Sequence, residues 1–512
     1  MITKVKSAAL IGIEGLSLEI EVDTSQGFPT FTIVGLPDNA VKESKERVKL
    51  SIKNCGFKFP QGKIVVNMAP ADLKKEGSAY DLPIALGILA NMGIIKREAL
   101  ADYFVLGELS LDGEIKEIKG VLPITLKIKE ETCKNIIIPA SNGFEAAVVD
   151  RVNVFGFKHL KEVIAFLNNE VEKEKFLYKM DVTEILNHPL ENLPDFNEVK
   201  GQFHIKRALE VAAAGGHNLI MVGPPGAGKT MLAKRLPSIL PPMTFDEALE
   251  TSKIHSVVGL LHSKNFLITT RPFRTPHHTI SDIALIGGGS YPRPGEVSLA
   301  TNGVLFLDEL PEFKKSVLEV LRQPLEDGKV TISRASTTLT FPAKFMLVAA
   351  MNPCKCGYYG SPDRECTCTP NEIKKYQSRI SGPLMDRIDI QIEVPAVKHS
   401  DLVSSSYSEN SKTIRKRVIE ARNIQINRFK NESFFCNAQM GEKELKKYCY
   451  LDSKCLGLLK MAIEKMGFSA RAYSRIVKVA RTIADLDNSE QIQDKHILEA
   501  IQYRTLDRKN RI

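Results

Sequence analysis

One octapeptide constrains this chain more than any other feature of its sequence. It comprises Gly223, Pro224, Pro225, Gly226, Ala227, Gly228, Lys229 and Thr230. The octapeptide matches the P-loop pattern, in which glycines allow backbone N–H groups to close around phosphate oxygens. An apolar run precedes it at 218–222 and a helix-forming run follows at 231–236, as a strand–loop–helix P-loop requires. We therefore expect Lys229 to reach the β- and γ-phosphates of ATP and Thr230 to bind Mg²⁺.

An acidic pair at the end of a second apolar run supports this prediction. Residues 304–307 read Val-Leu-Phe-Leu, and Asp308 and Glu309 follow directly. Beside a P-loop, Asp308 is expected to hold Mg²⁺, directly or through water, and Glu309 to orient and deprotonate the attacking water. The pair could instead cap a helix. Because a positioned base is present, the pattern favours hydrolysis over binding alone.

A third apolar run, 345–351, ends at Asn352. An asparagine at a strand tip can orient the water or the γ-phosphate, although it could also be an ordinary turn residue before Pro353. Across 190–397, runs of this kind alternate with helical segments. This alternation is typical of an α/β fold with a parallel sheet covered on both faces.

The regions on either side have a different character. Residues 1–170 mix strand-like runs, such as 135–139, with a buried helix at 81–90. We interpret 171–189 as a linker, because it begins with a charged and polar stretch. Residues 398–512 begin with a polar segment and continue with helical periodicity, which predicts a second linker and a helical domain.

The composition excludes several protein classes. With 43% hydrophobic and 26% charged residues, the chain is not disordered, collagenous or a disulfide scaffold. No apolar run approaches the roughly 18 residues of a membrane span, and the N-terminus does not resemble a signal peptide. We therefore expect a cytoplasmic protein without a membrane partner. Residues 401–512 hold 22 basic and 14 acidic residues, which suits either a polyanion-binding face or a solvated helical surface.

Four of the nine cysteines form two Cys-x-Cys pairs, and these are Cys354, Cys356, Cys366 and Cys368. Four thiolates at short spacing in a reducing compartment suit tetrahedral Zn²⁺, although the usual spacing is Cys-x-x-Cys. Such a site would be structural, because four protein ligands leave no open position. Free thiols or an unusual disulfide are the alternatives. The remaining cysteines are scattered and are expected to be packing residues.

Several further segments resemble one family of ATPases. They are 273–279 (Phe-Arg-Thr-Pro-His-His-Thr), 295–300 (Gly-Glu-Val-Ser-Leu-Ala), 307–310 (Leu-Asp-Glu-Leu) and 384–389 (Leu-Met-Asp-Arg-Ile-Asp). Together with the P-loop, they make almost the whole chain similar to AAA+ ATPases of the magnesium-chelatase-like YifB/ComM branch. The resemblance implies a AAA+ P-loop core followed by a C-terminal helical lid.

The resemblance also implies a residue that acts between subunits. In this branch, the arginine of the Asp-Arg-Ile-Asp segment works in trans, so Arg387 would be an arginine finger for the γ-phosphate of the neighbouring subunit. A salt bridge from Arg387 to Asp386 or Asp389 is the structural alternative. Arg379 is a second candidate finger.

Other roles follow from the same likeness. Arg471 corresponds to a sensor arginine of the lid that acts in cis on the phosphates, and Arg475 is the alternative one helical turn later. Residues 328–341 are expected to form a β-hairpin, which in related ring motors touches the translocated polymer. Lys329 and Arg334 are therefore the candidate DNA contacts, unless the hairpin is simply solvated.

The segment between the two nucleotide motifs contains His277 and His278. Family likeness interprets this region as an insertion that projects into a central pore. Adjacent histidines invite a metal-site hypothesis, but neighbouring side chains on regular structure point in different directions.

Residues 1–170 resemble the proteolytic domain of Lon, an α+β fold like domain 2 of ribosomal protein S5. Ser78 falls where Lon carries its nucleophile, but Pro123 occupies the position of the catalytic lysine. Proline has no amine and cannot act as a base. Lys119 and Lys127 are nearby but offset, so we expect no peptidase activity and a scaffolding or DNA-facing role.

The leading hypothesis is therefore a ring-shaped DNA motor, in which hydrolysis of ATP with Mg²⁺ drives branch migration or unwinding of recombination intermediates, as in natural transformation. The resemblance implies a homo-oligomer, with a hexamer as the expected ring. A metal-insertion ATPase like the small subunit of magnesium chelatase is one alternative. An ATP-dependent protease or protein remodeller is another.

Overall fold

The computed structural model describes residues 2–181, 193–261, 266–289, 291–334, 337–362, 364–396, 409–432, 434–466, 470–504 and 506. The chain divides into two compact units. The first unit comprises Met1–His188 and Phe245–Thr269, and the second unit comprises Pro189–Thr244 and Thr270–Ile512.

The strands, in chain order, are β1 (Thr3–Ile11), β2 (Glu14–Ser25), β3 (Thr30–Val34), β4 (Lys63–Ala69), β5 (Phe104–Val105), β6 (Glu108–Leu109), β7 (Ile115–Lys116), β8 (Asn135–Pro139), β9 (Asn153–Phe157), β10 (Leu177–Tyr178), β11 (Leu219–Val222), β12 (Phe273–Arg274), β13 (Gly287–Gly288), β14 (Arg293–Pro294), β15 (Val304–Leu307), β16 (Lys329–Arg334), β17 (Thr337–Pro342), β18 (Met346–Met351) and β19 (Ile390–Glu393).

The α-helices are α1 (Asn39–Asn54), α2 (Asp81–Asn91), α3 (Arg97–Leu100), α4 (Val121–Glu130), α5 (Gly143–Ala147), α6 (Leu160–Leu167), α7 (Phe203–Gly215), α8 (Lys229–Arg235), α9 (Phe245–Val258), α10 (Asp282–Ile286), α11 (Glu296–Leu299), α12 (Lys315–Val320), α13 (Arg322–Asp327), α14 (Pro370–Gln377), α15 (Gly382–Met385), α16 (Ser411–Arg428), α17 (Glu442–Tyr448), α18 (Ser453–Met466), α19 (Ala470–Leu486) and α20 (Asp494–Gln502).

The first unit is built on a mixed eight-stranded sheet with the order β10-β9-β8-β5-β1-β2-β4-β3. Within it, β1 and β2 pair antiparallel, whereas β8 and β9 run parallel. Helix α2 is buried along nearly its whole length, as its apolar sequence predicts. Gly87 allows α2 to approach the sheet closely, because a Cβ there would lie 2.6 Å from a Val22 methyl group.

Helix α9 belongs to the first unit, although its sequence lies between the two nucleotide motifs. Ser256 Oγ donates a hydrogen bond of 2.5 Å to the buried Glu145 carboxylate, and the Gly120 N–H donates to the Ser256 carbonyl at 3.1 Å. Burial raises the pKa of Glu145. Contacts thus group 245–269 with the first unit, whereas sequence analysis placed them in a core running unbroken from 190 to 397.

The second unit contains the five-stranded sheet β12-β15-β18-β11-β19, in which every neighbouring pair is parallel. The parallel α/β sheet predicted from the sequence is confirmed. Strand β18 lies between β11 and β15, so the carboxyl ends of all three strands meet at one edge. In open parallel sheets, this edge is where ligands bind.

Helices α16, α18, α19 and α20 of the second unit each bury part of their surface. On α19, the side chains of Ile476, Val479 and Ile483 are almost fully buried, at the spacing of an amphipathic helix. They join one hydrophobic cluster with residues of α7 and of the parallel sheet. Among the residues that the structure describes, no helix is both long and apolar enough to cross a membrane.

Candidate nucleotide-binding site

The P-loop connects β11 to α8 in the conformation that its glycines permit. Gly226 and Gly228 have φ angles of 77° and 86°, in the left-handed region that favours glycine. At Gly223, a Cβ would clash with the Val394 carbonyl oxygen, so only glycine fits beside β19. The sequence motif thus folds as a loop with exposed backbone between a buried strand and a helix.

The Lys229 side chain is buried and makes three hydrogen bonds. Its ammonium donates to the carbonyl oxygens of Gly223 at 2.7 Å and Pro224 at 2.9 Å, and to Asn352 Oδ1 at 3.1 Å. Burial lowers the pKa of Lys229, and the nearby Asp308 and Glu309 carboxylates oppose that shift. The amine is therefore held at the mouth of the loop by acceptors that phosphate oxygens can replace.

Thr230 and Asp308 come together across the sheet edge. Thr230 Oγ1 donates a hydrogen bond of 2.6 Å to Asp308 Oδ2. Mg²⁺ prefers oxygen ligands about 2.1 Å away in octahedral geometry, and usually takes a few protein oxygens together with phosphates. This hydroxyl–carboxylate pair fits such a site.

Glu309 adopts a left-handed backbone conformation, with φ of 52°, at the end of β15. Its side chain is 59% exposed, and its Oε2 lies 3.7 Å from His278 Nδ1. A carboxylate open to solvent beside the P-loop is suited to receive a proton from water. The sequence places His278 in the expected pore insertion and invites a metal-ligand role for it, but no local signal links it to Glu309.

The His277 and His278 rings lie 4.1 Å apart, centroid to centroid. His277 Nδ1 lies 3.0 Å from Thr279 Oγ1. Neither histidine belongs to a group of three or more His, Cys, Asp or Glu side chains placed to hold a metal. Within the described ranges, the four clustered cysteines are the only such group.

Arg387 is engaged within its own chain. Its guanidinium pairs with Glu326 and donates to the Pro383 carbonyl oxygen at 2.7 Å. Its partner is thus Glu326, whereas sequence analysis had offered Asp386 and Asp389. The buried Nε of Arg387 has no hydrogen-bond partner among the described residues. A guanidinium held by one exposed carboxylate can exchange it for another anion.

The other candidate arginines differ in their surroundings. Arg379 pairs with Glu312 at 3.0 Å and is half-exposed. Arg471 is 64% exposed and lies 4.0 Å from Asp386, whereas Arg475 pairs with the buried Asp389.

Arg471 and Arg475 line a cavity of about 260 Å³ together with Arg387. No P-loop residue is among the described residues that line this cavity. The structure therefore groups the sensor candidates with the finger candidate rather than with the phosphate loop of the same chain.

The candidate DNA contacts lie on an antiparallel hairpin formed by β16 and β17. Val330 and Ile332 point into the protein, whereas Lys329 and Arg334 are exposed. Buried and exposed positions alternate from Lys329 to Ser333, as is typical of a hairpin with one solvated face. Arg334, by contrast, is exposed on the same side of β16 as Val330 and Ile332. The hairpin predicted from the sequence is present, and residues 335 and 336 lie outside the described residues.

The four clustered cysteines converge. Their sulfur atoms all lie within 4.8 Å of one another, with Cys354 Sγ 3.3 Å from Cys356 Sγ and 3.7 Å from Cys366 Sγ. A tetrahedral zinc ion bound by four sulfurs at about 2.3 Å separates them by about 3.8 Å. The cluster is therefore compatible with a structural zinc site.

Ser78, at the position of the Lon nucleophile, donates a hydrogen bond to Glu108. Pro123 is buried within α4. Lys127 pairs with Glu130 at 2.9 Å, and the side chain of Lys119 packs beside the main chain of residue 259. The described contacts of Ser78 thus include a carboxylate and no amine.

Three family profiles match successive parts of the chain. The profile described as "Magnesium chelatase, subunit ChlI" matches residues 195–402. "Subunit ChlI of Mg-chelatase" matches 20–142, and "Magnesium chelatase, subunit ChlI C-terminal" matches 408–504.

Curated relatives match over nearly their full length. Competence protein ComM of Haemophilus influenzae is 45% identical, covering 98% of this chain and 97% of that protein. The uncharacterized proteins YifB of Salmonella typhimurium and of Escherichia coli are 42% and 41% identical, with the same coverage. The chain therefore belongs to the magnesium-chelatase-like YifB/ComM family.

Proposed function

We propose that this protein is an ATP-driven DNA motor of the helicase or branch-migration type, acting on recombination intermediates. Its family makes it an AAA+ ATPase. The observation that carries the proposal is the meeting of Lys229, Thr230, Asp308 and Asn352 at one sheet edge in a relative of a competence protein.

Each residue of the site has a distinct chemical task in hydrolysis. Lys229 exchanges its carbonyl acceptors for phosphate oxygens, and Thr230 with Asp308 would hold Mg²⁺, which neutralises charge on those oxygens. Glu309 accepts a proton from the attacking water, and Asn352 orients that water or the γ-phosphate. The exposure of Glu309 leaves room for water at its carboxylate.

Arg387 completes the site of a neighbouring subunit in this proposal. A planar guanidinium suits the charge spread over the phosphoryl transition state. To reach the neighbour's γ-phosphate, Arg387 gives up the Glu326 carboxylate and pairs with phosphate instead. Arg471 lines the same cavity as Arg387, so we propose that it faces the same neighbouring subunit. Assignment of Arg471 to a neighbour replaces the cis role expected from the family likeness. The proposed active form is a homo-oligomeric ring, with a hexamer as the expected size.

DNA would contact the exposed hairpin and the basic C-terminal helices. Lys329 lies on the solvated face of the hairpin, and Arg334 is exposed at the end of β16, so phosphates can approach both side chains. Binding of this kind weakens steeply with salt, because cations on the DNA are released. In this proposal, the first unit scaffolds the ring or faces DNA, and the four cysteines hold a structural zinc ion in a cytoplasmic protein.

ATP hydrolysis measured with single-stranded, duplex and branched DNA tests the proposal. We expect DNA to stimulate turnover by the full chain, and Lys229→Ala to abolish it. Lys234→Ala is the matched control, because Lys234 lies exposed on the same helix. Absence of stimulation by every form of DNA would contradict the proposal.

Magnesium insertion is the second candidate, because all three matching profiles are described by the chelatase subunit ChlI. The sequence predicts that neither the four-cysteine insert nor the Lon-like first region belongs to the small chelatase subunit. Because a profile described by that subunit matches residues 20–142, the cysteine insert is the feature that argues against this candidate. Formation of Mg-protoporphyrin with partner chelatase subunits, without DNA-stimulated hydrolysis, would favour this candidate.

A further inference from the structure

The segment that leads into the four-cysteine cluster runs along the P-loop. The Gly223 N–H donates a hydrogen bond of 3.2 Å to the Met351 carbonyl oxygen. One residue later, Asn352 Oδ1 accepts the hydrogen bond from Lys229 at 3.1 Å. The end of β18 therefore contacts both the first residue of the P-loop and its lysine.

A third contact comes from inside the cysteine cluster itself. A Cβ added to Gly357 would lie 2.5 Å from Cδ and 2.7 Å from Cγ of Pro225, the third residue of the P-loop. Real Cβ atoms essentially never approach other atoms so closely, and the ring of Pro225 is fused to the P-loop backbone. The backbone of Gly357 thus packs directly against the ring of Pro225, without a side chain between them.

The position of Gly357 depends on the cysteines around it. Its N–H donates a hydrogen bond of 3.0 Å to the Cys354 carbonyl oxygen, which closes a tight turn. Cys354 is fully buried, and its sulfur accepts the Tyr359 N–H at 3.3 Å. The Cys356 N–H approaches Cys368 Sγ at 3.4 Å. These contacts make the cluster the framework that places Gly357 against Pro225.

We propose that the four-cysteine cluster, when it binds zinc, positions the P-loop, so that zinc occupancy sets nucleotide affinity. This inference rests on the proposed ATPase function, and it assigns Gly357 as a positioning residue. Zinc would tie the four sulfur atoms together through coordination bonds, so loss of zinc loosens the turn from Cys354 to Gly357. The P-loop then loses one of its three contacts with this segment.

Two glycines of the same loop provide a matched test. Gly357 and Gly360 both have left-handed φ angles, of 90° and 75°, so alanine is strained at either position. A Cβ at Gly360 would meet no atom of the described residues within 4 Å, whereas a Cβ at Gly357 would meet Pro225. Comparison of Gly357→Ala with Gly360→Ala therefore separates contact with the P-loop from backbone strain.

The measurements are zinc content and the Kd of a fluorescent ATP analogue, on the full chain with excess Mg²⁺. We expect both variants to keep the zinc content of the wild type, and Gly357→Ala alone to weaken nucleotide binding about tenfold. Equal affinities in the two variants would overturn the inference. So would a Gly357→Ala protein that lost zinc yet bound nucleotide like the wild type.

Removal of zinc from the wild type with a zinc-selective chelator gives an independent arm. We expect the Kd of the ATP analogue to rise, and added Zn²⁺ to restore it. An unchanged Kd in zinc-free protein would overturn the inference but leave the ATPase proposal intact. Failure of zinc-loaded wild type to bind the analogue would instead sink the proposed function.

Discussion

Lys229 and Asn352 lie 123 positions apart in the sequence, yet the Lys229 ammonium donates a hydrogen bond of 3.1 Å to Asn352 Oδ1. The bond joins the first residue of α8, which follows β11 and the P-loop, to the residue after β18, and β11 and β18 are neighbours in the parallel sheet. The Asn352 amide is thus already in contact with the Lys229 ammonium that would bind the phosphates. It is therefore well placed to act on the γ-phosphate or on the water beside it.

Replacement of Asn352 by alanine should slow ATP turnover more than it weakens ATP binding. Loss of one polar group that acts on the transition state costs about 100-fold in kcat, whereas Lys229 and the P-loop backbone remain to bind the phosphates of ATP. Steady-state kinetics would show kcat falling with KM nearly unchanged. The control is Asn371→Ala, at an exposed position on α14. A rise in KM with unchanged kcat would assign Asn352 to binding alone.

Replacement of Glu309 by glutamine should abolish hydrolysis but preserve binding of ATP. The amide keeps the shape of the side chain but cannot accept the proton, which costs about 10²–10⁴-fold in rate. Glu312→Gln serves as control, because Glu312 is a half-exposed carboxylate three residues later, paired with Arg379. Single-turnover hydrolysis and equilibrium nucleotide binding would be measured on both variants. Normal turnover by Glu309→Gln would identify another residue as the base.

The action of Arg387 between subunits can be tested by mixing two inactive variants. We expect Arg387→Ala and Lys229→Ala proteins each to lack turnover alone. When co-expressed in equal amounts, about one quarter of the sites in a cyclic ring pair an intact lysine with an intact neighbouring arginine. Turnover should therefore recover in part. Mixed particles that stay inactive would show that Arg387 does not work in trans.

Asp389 should stabilise the second unit in a pH-dependent way. Burial alone would raise the pKa of Asp389, but Arg475 and His217 outweigh it and hold the pKa well below its usual range. A lowered carboxyl pKa adds stability at neutral pH, and that stability is lost as the pH falls below the unfolded value of about 3.9.

Asp389→Asn leaves Arg475 without its buried partner, so we expect the free energy of unfolding at pH 7 to fall by about 3–5 kcal/mol. Urea denaturation would measure this change, and the difference from wild type should hold down to about pH 4 and shrink only as the pH falls below that value. The half-exposed pair of Arg379 and Glu312 offers the control, since Glu312→Gln should lower the free energy of unfolding by no more than about 1 kcal/mol. A constant difference at every pH would contradict the electrostatic explanation.

Local patterns in the sequence predict much of the site. The P-loop, the strand ends at Asp308 and Asn352, and the hairpin of β16 and β17 each depend on residues close together in the chain. Their chemistry is contained in short runs of glycine, apolar and acidic residues. The parallel sheet then follows, because strands alternate with helices.

Contacts between distant segments could not be predicted in this way. Nothing near Arg387 indicates that Glu326 is its partner, because the two residues lie 61 positions apart in the sequence. The assignment of α9 to the first unit likewise depends on the buried contact between Ser256 and Glu145. The Arg387–Glu326 pair and the placement of α9 can be seen only in the folded structure, because no periodicity or spacing in the sequence indicates them.

Movement of branched DNA tests the central claim most directly. A fluorescently labelled four-way junction, incubated with the purified wild-type chain, ATP and Mg²⁺, should be resolved into its product duplexes. The Glu309→Gln variant should bind the junction but leave it intact. Wild type that hydrolyses ATP yet never moves the junction, or moves it equally well without ATP, would contradict the account.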